Sequence, residues 1–377
     1  MTDRHQIIND NCLNAMRQMQ DNSVDFITTD PPYGLKFMGK QWDHGIPGIE
    51  FWAEMLRICK PGSMLAAFGG TRTYHRLTCA IEDAGWEIRD CMMWLYGSGF
   101  PKSHNNFGLD GYGTALKPAW EPIILAMKPL DGTYAQNAEK WGVGGINIDE
   151  SRIPRDEKGL EYKGNTINEF LKAKNIVENK SHAKGRWPAN LILDEEVAQA
   201  LDQMTGVLKS GAVSPMSEAP FAGVYEHGRK SKNVNQFASS KGGASRFFYC
   251  AKSSSRERNA GLEGMPFIEK SNGNKWTDQD YRVSNGERPP SAQSGPRQNF
   301  HPTVKPLALM CYIIKLLAPP GDPVLLDPFA GSGSTLAAAK QLGIRAIGIE
   351  KEAEYCEIAR RRIEAIKIES EQLDLFD

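Results

Sequence analysis

The stretch VLLDPFAGSGST, residues 324–335, joins a short apolar run to an acid, a glycine-rich turn and the start of a helix. Val324–Leu326 is predicted to be a buried strand that ends at Asp327. Gly331 and Gly333 allow the tight turn after it, because glycine adopts backbone conformations closed to other residues. A strand, a glycine turn and a helix start in this order predict an α/β sheet with a ligand at the carboxyl edge.

The ligand predicted for this edge is an adenosine-type cofactor. The dinucleotide pattern GxGxxG is not fulfilled, since Leu336 stands where the third glycine would be. Glu350 comes seventeen residues after Gly333, at the end of the next predicted strand, AIGIE. An acid in that position suits the two hydroxyls of a ribose.

Strand and helix signals alternate on both sides of this stretch, over roughly the first 130 residues and again from residue 301. Such alternation predicts a mostly parallel sheet with helices on both faces, whose two halves lie at the two ends of the chain. VDFITT and SMLAAFGG are expected to be buried strands, and the helix IEFWAEMLRICKPG is expected to stop at Pro61-Gly62. Between the halves the chain is rich in Gly, Ser, Asn and Lys, which predicts an irregular inserted region.

The predicted strand Val24–Thr29 runs into Asp30, Pro31, Pro32 and Tyr33, within the stretch TTDPPYG. Each proline lacks an N–H group and pushes the residue before it out of the helical region, so the strand must end abruptly. The carboxylate and the aromatic ring are therefore left at the carboxyl edge, where ligands bind in open α/β sheets. A capped turn with a solvated acid is the alternative interpretation.

Composition narrows the class of protein. The 377 residues are 40% hydrophobic and 24% charged, as in water-soluble globular proteins, and no apolar run is long enough for a membrane span. The polar start MTDRHQIIND resembles neither a signal nor a transit peptide, so we expect a cytoplasmic protein. Seven scattered cysteines without a CxxC pair, and seven histidines without HxxxH, predict reduced thiols and no metal.

The net charge of −1 gives no indication of a nucleic-acid partner, and the local distribution of charge is more informative. Residues 209–258 hold nine lysines and arginines against three acids. A surface that binds phosphates is one interpretation of this segment, with Lys230, Lys232 and Arg246 as candidates, and a solvated loop is the other.

Three motifs together, TTDPPYG, HPTVKP and DPFAGSGST, resemble the DNA methyltransferases that modify amino groups with S-adenosylmethionine. Their order, with the catalytic motif before a variable region and the cofactor motif after it, is similar to the beta class. The resemblance implies a Rossmann-like, mostly parallel seven-stranded sheet plus an irregular inserted target-recognition region. It divides the chain into a catalytic half (1–130), the recognition region (131–295), a cofactor-binding half (296–367) and a tail (368–377).

The resemblance implies a catalytic role for the motif at residues 30–33. The Asp30 carboxylate would accept one N–H of an exocyclic amine and the Pro31 carbonyl the other, with the backbone held rigid by Pro32. Tyr33 would offer a flat face to a base flipped out of duplex DNA. The aspartate form of the motif favours N6 of adenine over N4 of cytosine.

The resemblance also implies a set of cofactor contacts. A family acid near the amino terminus meets the adenine amino group, and here either Asp10 or Asn11 fills that place, because NDNC replaces the usual GD. The complete set is Asp10, Asn11, Asp30, His301, Thr303, Lys305, Asp327, Phe329, Gly331, Gly333, Ser334, Thr335 and Glu350.

The residues leave other assignments of function and substrate open. A cytosine-N4 enzyme, a binding or scaffold protein without chemistry, and a methyltransferase acting on RNA or a protein amide are the alternatives to an adenine-N6 enzyme on duplex DNA. A homodimer, a companion restriction endonuclease, and a bacterial or phage origin are also left open.

The segment QLDLF, residues 372–376, places apolar side chains in a charged tail. It resembles the linear motif by which bacterial proteins dock on the replication sliding clamp. In that interpretation Gln372 anchors by hydrogen bonds while Leu373, Leu375 and Phe376 fill apolar pockets. The alternative is an end that folds back on the core or frays.

Overall fold

The structure is a computed structural model that describes residues 4–35, 45–99, 103, 108–154, 185–210, 240–251, 259–263, 299 and 304–366. The strands are β1 (His5–Asn9), β2 (Val24–Thr29), β3 (Cys59–Phe68), β4 (Glu87–Leu95), β5 (Trp120–Met127), β6 (Leu191–Asp194), β7 (Leu208–Ser210), β8 (Ser240–Gly242), β9 (Tyr249–Ala251), β10 (Val324–Asp327) and β11 (Arg345–Glu350). The helices are α1 (Cys12–Arg17), α2 (Ile49–Ile58), α3 (Tyr74–Asp83), α4 (Tyr134–Trp141), α5 (Glu195–Thr205), α6 (Leu307–Leu317), α7 (Ser334–Gln341) and α8 (Ala353–Ala365). Within these ranges every helix is too short or too polar to cross a bilayer.

Nine of the described strands form one sheet in the order β1-β11-β10-β2-β3-β5-β4-β6-β9. All neighbours pair in parallel except β5, which runs antiparallel to both β3 and β4. The predicted α/β class with a mostly parallel sheet is therefore confirmed. The antiparallel direction of β5 was not predicted, and it brings the first residues of that strand to the edge where β2 and β3 end.

The sheet is larger than the predicted seven strands. Seven strands come from the two ends of the chain, and β6 and β9 add two from the middle region. Their apolar pieces continue the sheet in parallel beyond β4, with Trp94 opposite Ile192 and Ile192 opposite Tyr249. The inserted region is thus partly regular, because short apolar segments complete hydrogen bonds that the edge of β4 would otherwise expose.

Helices cover both faces of the sheet, as the alternating pattern predicts. On one face α1, α2 and α3 bury side chains such as Met16, Trp52 and Leu77. On the other, α6, α7 and α8 bury Ile313, Ala338 and Ile363. Strand β2 is buried along its whole length, which confirms the interpretation of VDFITT as a strand covered on both faces.

The helix α2 ends earlier than predicted. It stops at Ile58, and Cys59 already pairs with Val24 as the first residue of β3. The prediction that the helix continues to Pro61-Gly62 is wrong, since Pro61 favours an extended Lys60 before it. Those residues lie inside β3, next to a shift in register between β2 and β3.

Candidate functional site

The carboxyl ends of four parallel strands place acidic groups at one edge of the sheet. Strands β2 and β10 are neighbours, with Ile27 opposite Leu326, so the residues after them lie side by side. Strand β11 ends at Glu350, which is opposite Asn9 at the end of β1. This arrangement is imposed by a parallel sheet on acids that stand directly after its strands.

A cavity of about 340 Å³ opens at this edge. Its volume is in the range of small-molecule and cofactor sites. The predicted site residues that line it are Asp10, Asn11, Asp30, Pro31, Pro32, Tyr33, Lys305, Asp327, Phe329, Gly331, Ser334, Thr335 and Glu350. The structure thus brings together groups separated by more than 300 positions in the chain, while the role of each stays a prediction.

Asp30 lies at one end of the cavity in a network of four polar side chains. The Tyr33 hydroxyl is 2.7 Å from Asp30 Oδ1 and 3.1 Å from Glu121 Oε2. The Lys305 ammonium donates to Asp30 Oδ2 at 2.7 Å and lies 3.2 Å from Glu121 Oε2. Lys305 also donates to the Tyr33 hydroxyl at 3.1 Å. Lys305 and Tyr33 thus contact each other, and each contacts both carboxylates.

Burial shapes the protonation of this network. Burial lowers the pKa of the Lys305 ammonium, but the charges of Asp30 and Glu121 raise it more, so its pKa lies above its ordinary value. Burial, with the same two carboxylates, raises the pKa of Tyr33 well above its usual range. Lys305 is therefore a cation and Tyr33 a neutral hydroxyl at physiological pH.

Asp327 lies on the neighbouring strand in a different environment. Its carboxylate accepts hydrogen bonds from Thr29 Oγ1 at 2.6 Å, Thr335 Oγ1 at 2.5 Å and the Phe329 amide at 3.1 Å. The residue is only 1% exposed. Burial raises the pKa of the carboxyl to about 6, against these three hydrogen bonds, which lower it. Asp327 thus ties the strand to the start of α7.

Glu350 holds the glycine turn from the other side. Its Oε2 accepts the Gly331 amide at 2.8 Å, and its Oε1 accepts the Glu352 amide at 2.8 Å. Burial raises the pKa of the carboxyl, and these two amides lower it in part. Each carboxylate oxygen has a second lone pair, so contact with a ligand hydroxyl is compatible with both bonds.

Gly333 lies away from the cavity. It has a φ of 76°, and a Cβ built there would be 2.8 Å from the Cβ of Ala359 on α8. A glycine suits this position because the backbone is left-handed and because α8 packs too closely for a side chain. Gly331, with a φ of 51°, is the glycine of this turn that lines the cavity.

Asp10 and Asn11 both line the far end of the cavity, and they differ in their hydrogen bonds. Asn11 Oδ1 accepts the Leu13 amide at 2.9 Å and so caps α1. Asp10 Oδ1 accepts the Asn11 amide at 2.7 Å. Asp10 is the better candidate for a ligand amino group or hydroxyl, because its second oxygen makes none of these local bonds.

The predicted DNA contacts are only partly within the described residues. Arg246 donates from Nη1 to the carbonyls of Gly242 and Gly243, at 2.7 and 2.6 Å, and its guanidinium lies over the ring of Phe247. Lys230 and Lys232 lie outside the described residues, as do His301 and Thr303. The tail residues Gln372, Leu373, Leu375 and Phe376 lie outside them too.

Three residues of the site were missed by sequence reasoning. Glu121 reaches the Asp30 network because β5 is antiparallel, which the apolar pattern of the strand does not reveal. Thr29 could have been found as a polar residue at the end of a strand that is buried along its whole length. Arg362 could have been found from its position on the apolar stripe of α8, in line with Tyr355, Ile358 and Ala359.

Arg362 supports the glycine turn from beneath. The residue is 4% exposed, and its Nη1 donates to the Ser332 carbonyl at 2.6 Å. The same nitrogen is 3.0 Å from Ser332 Oγ and 3.2 Å from Ser334 Oγ. The turn is therefore fixed by an arginine from α8 as well as by Asp327 and Glu350.

A family model matches most of the chain. Residues 24–361 match the model of the DNA methylase family N6_N4_Mtase. The chain belongs to this family, which confirms the resemblance carried by the three motifs.

Two relatives in sequence match short stretches of the chain, and a solved structure matches most of it at low identity. The chain is 54% identical over 65 residues to the type II methyltransferase M2.DpnII of Streptococcus pneumoniae, covering 17% of this chain and 24% of that protein. It is 43% identical over 76 residues to the type II methyltransferase M.HinfI of Haemophilus influenzae, covering 20% of this chain and 21% of that protein. The alignments thus span less than a quarter of each relative. The solved PvuII DNA methyltransferase (cytosine-N4-specific) covers 98% of this chain and 90% of its own, at 14% identity and a TM-score of 0.48.

Proposed function

We propose that the protein transfers a methyl group from S-adenosylmethionine to the N6 amino group of an adenine in duplex DNA. The observation that carries the proposal is the cavity that joins Asp30 and Tyr33 to the glycine turn and Glu350. Membership in the DNA methylase family supports the same class of reaction. The alternative is methylation at N4 of cytosine, which needs the same chemistry at the amine.

The residues around the cavity fit S-adenosylmethionine. Glu350 and Asp10 offer carboxylate oxygens to the ribose hydroxyls and the adenine amino group, and Phe329 offers an apolar ring packed beside Phe51. Gly331 and Ser332 open the turn before α7, where backbone amides suit a carboxylate. The cofactor supplies the methyl group, whose bond to sulfur breaks with the electron pair left on the sulfur.

The residues at the Asp30 end act on the target base. An exocyclic amine is a weak nucleophile, because its lone pair is delocalised into the ring. The Asp30 carboxylate and the Pro31 carbonyl would each accept one N–H and so make the nitrogen more tetrahedral and more nucleophilic. Fixed acceptors of this kind act through position and electrostatics, without reorganisation during the reaction.

The product of the reaction tests the base and the substrate class together. The purified chain, given S-adenosylmethionine with a labelled methyl group, is offered duplex DNA, RNA and protein separately. Digestion of the DNA to nucleosides should give N6-methyladenine. N4-methylcytosine alone would select the alternative, and label only in RNA or protein would overturn the proposal of a DNA substrate. Sequencing that detects methylation, on DNA from cells that express the chain, would identify the target site.

We propose that residues 131–295 recognise the DNA and that Lys230, Lys232 and Arg246 hold phosphates. Neutralising all three to glutamine should lower the slope of log affinity against log salt by about 0.9 for each phosphate interaction removed. The single variant R246Q separates its contribution, because this guanidinium also binds the Gly242 and Gly243 carbonyls. An unchanged slope in the triple variant would mark a solvated loop.

We propose that QLDLF, residues 372–376, docks on a bacterial sliding clamp. Such docking would place the enzyme on newly copied DNA at a high local concentration. A peptide of residues 368–377 should bind purified clamp, and L375A with F376A should remove that binding without changing methylation of short duplexes. No binding at high micromolar peptide would refute it. A homodimer and a cytoplasmic location in a bacterial cell stay predictions.

A further inference from the structure

Both oxygens of Asp30 are already occupied before any base is present. Tyr33 contacts Oδ1 and Lys305 contacts Oδ2, each at 2.7 Å. The proposed function requires one of these oxygens to accept an N–H of the target amine. A second lone pair on each oxygen can accept that N–H, so both contacts stay in place when the base enters.

Glu121 contacts the same two side chains as Asp30. Its Oε2 lies 3.1 Å from the Tyr33 hydroxyl and 3.2 Å from the Lys305 ammonium, so both already contact it. The side chain of Glu121 is 21% exposed and that of Lys305 is 7% exposed. Tyr33 therefore bridges the two carboxylates, and the buried Lys305 ammonium stays paired with a carboxylate if either of them becomes protonated.

The proton released by the reaction needs an acceptor as well. When the nitrogen lone pair forms the new bond to the methyl carbon, the nitrogen becomes positively charged and must lose one N–H proton. Asp30 is in position to accept that proton. The Tyr33 hydroxyl gives the proton a path onward, because it lies 2.7 Å from Asp30 Oδ1 and 3.1 Å from Glu121 Oε2.

We infer that Glu121 is the final proton acceptor of the reaction and positions Lys305 and Tyr33 during it. The proton on Asp30 passes to the Tyr33 oxygen as the Tyr33 hydroxyl proton passes to Glu121. Asp30 is then a carboxylate again, Tyr33 is again a neutral hydroxyl, and Glu121 is a neutral carboxylic acid. Two carboxylates and one ammonium give the network one net negative charge, which stabilises the positive charge developing on the amine.

The variant E121Q tests the inference, which rests on the proposed function. Glutamine has the same shape and still accepts from Lys305, but it cannot take up a proton. We expect the single-turnover rate of methyl transfer to DNA to fall by about 100-fold, at the lower end of general-base effects. The dissociation constants for S-adenosylmethionine and for duplex DNA should stay within about twofold of the wild type.

Two further readouts separate proton acceptance from a purely structural role. The acid limb of the pH–rate profile should approach a slope of two in the wild type, where two carboxylates must be charged, and of one in E121Q. After one turnover, infrared spectra of the product complex should show a protonated carboxyl band in the wild type, and this band should shift in E121Q, where the proton has to stay on Asp30. The variant E121D, which keeps the charge on a shorter side chain, should recover part of the rate.

The matched control is E139Q, which neutralises an exposed glutamate on α4 and should behave as the wild type in every readout. An active wild type with E121Q of equal rate, equal slope and an unchanged infrared band would overturn the inference alone. A wild type that methylates no DNA would overturn the proposed function, and the inference with it. Melting curves of the variants by circular dichroism establish that each is folded.

Discussion

Asp30 and Asp327 follow neighbouring parallel strands of the same sheet and line the same cavity, yet their surroundings are opposite. Asp30 is bound to a buried ammonium and a phenol, and its side chain is 17% exposed. Asp327 is 1% exposed and is held by two threonine hydroxyls and a backbone amide. The position at a strand end therefore does not determine the environment of an acid. Asp30 has partners that also contact Glu121, whereas Asp327 has partners that fix a loop.

The largest effect is expected from removal of the Asp30 carboxylate. The variant D30A should reduce methyl transfer by about 10³-fold, because the amine loses its side-chain acceptor while the cofactor end of the cavity is unchanged. Calorimetry should find affinity for S-adenosylmethionine within about threefold of the wild type. Turnover near the wild-type rate in D30A would contradict the catalytic role of this residue.

A second test concerns the turn that Asp327 fixes. G333A should lower the free energy of unfolding, because its Cβ would meet Ala359 and its φ of 76° is strained for alanine. The strain costs about 1–2 kcal/mol and the overpacking about 1–3 kcal/mol more. Gly343 is a matched control, since its φ is 69° and a Cβ there meets nothing within 4 Å.

Urea titrations of G333A and G343A separate the two costs. G343A should show the strain alone, and G333A should show both and also bind S-adenosylmethionine more weakly through the displaced turn. Equal losses of stability in the two variants would mean that the approach to α8 is unimportant.

Sequence reasoning located this edge of the sheet well, and the reasons are physical. The apolar runs before Asp30, Asp327 and Glu350 predict buried strands, and parallel strands place the residues after them at one edge. The partners of each acid could not be predicted, because they depend on packing between distant segments. Glu121 depends on the direction of β5, and the role of Gly333 depends on its distance from α8.

The middle region shows the same limit at the level of the fold. Three- and four-residue apolar pieces, such as YCA in β9, are too short to predict as strands, and pairing with a neighbouring strand decides their structure. For this reason seven strands were predicted, whereas the sheet has nine. The helix signals after residue 301 correspond to the long helices α6 and α8, whose apolar stripes span several turns.

The environment of Asp327 also predicts a pH dependence of stability. Its pKa of about 6 in the folded protein lies above the ordinary 3.8, so the folded state holds this proton more tightly than the unfolded state. This contribution to stability is present at low pH and is lost as the pH rises from about 4 to 6, by about 3 kcal/mol in total.

The variant D327N removes this titration while preserving the shape of the side chain. The stability of the wild type relative to D327N should therefore fall between about pH 4 and pH 6.5 and stay constant above that. Urea unfolding at several pH values measures the difference. A difference that does not vary with pH would show that Asp327 keeps an ordinary pKa, and that its burial is relieved in solution.

The smallest effect is expected beneath the turn, at Arg362. Arg362 makes all three contacts, to the Ser332 carbonyl, Ser332 Oγ and Ser334 Oγ, through Nη1, and the shorter side chain of lysine would not bring its ammonium as far beneath the turn. R362K should therefore weaken S-adenosylmethionine binding by about three- to tenfold, the equivalent of one lost hydrogen bond, and leave the pH–rate profile unchanged. The neighbouring variant R361K is the control, since Arg361 is partly exposed and pairs with Glu357 on α8 without contacting the turn. Calorimetry that finds equal affinity in R362K and R361K would show that Asp327 and Glu350 hold the turn without help from α8.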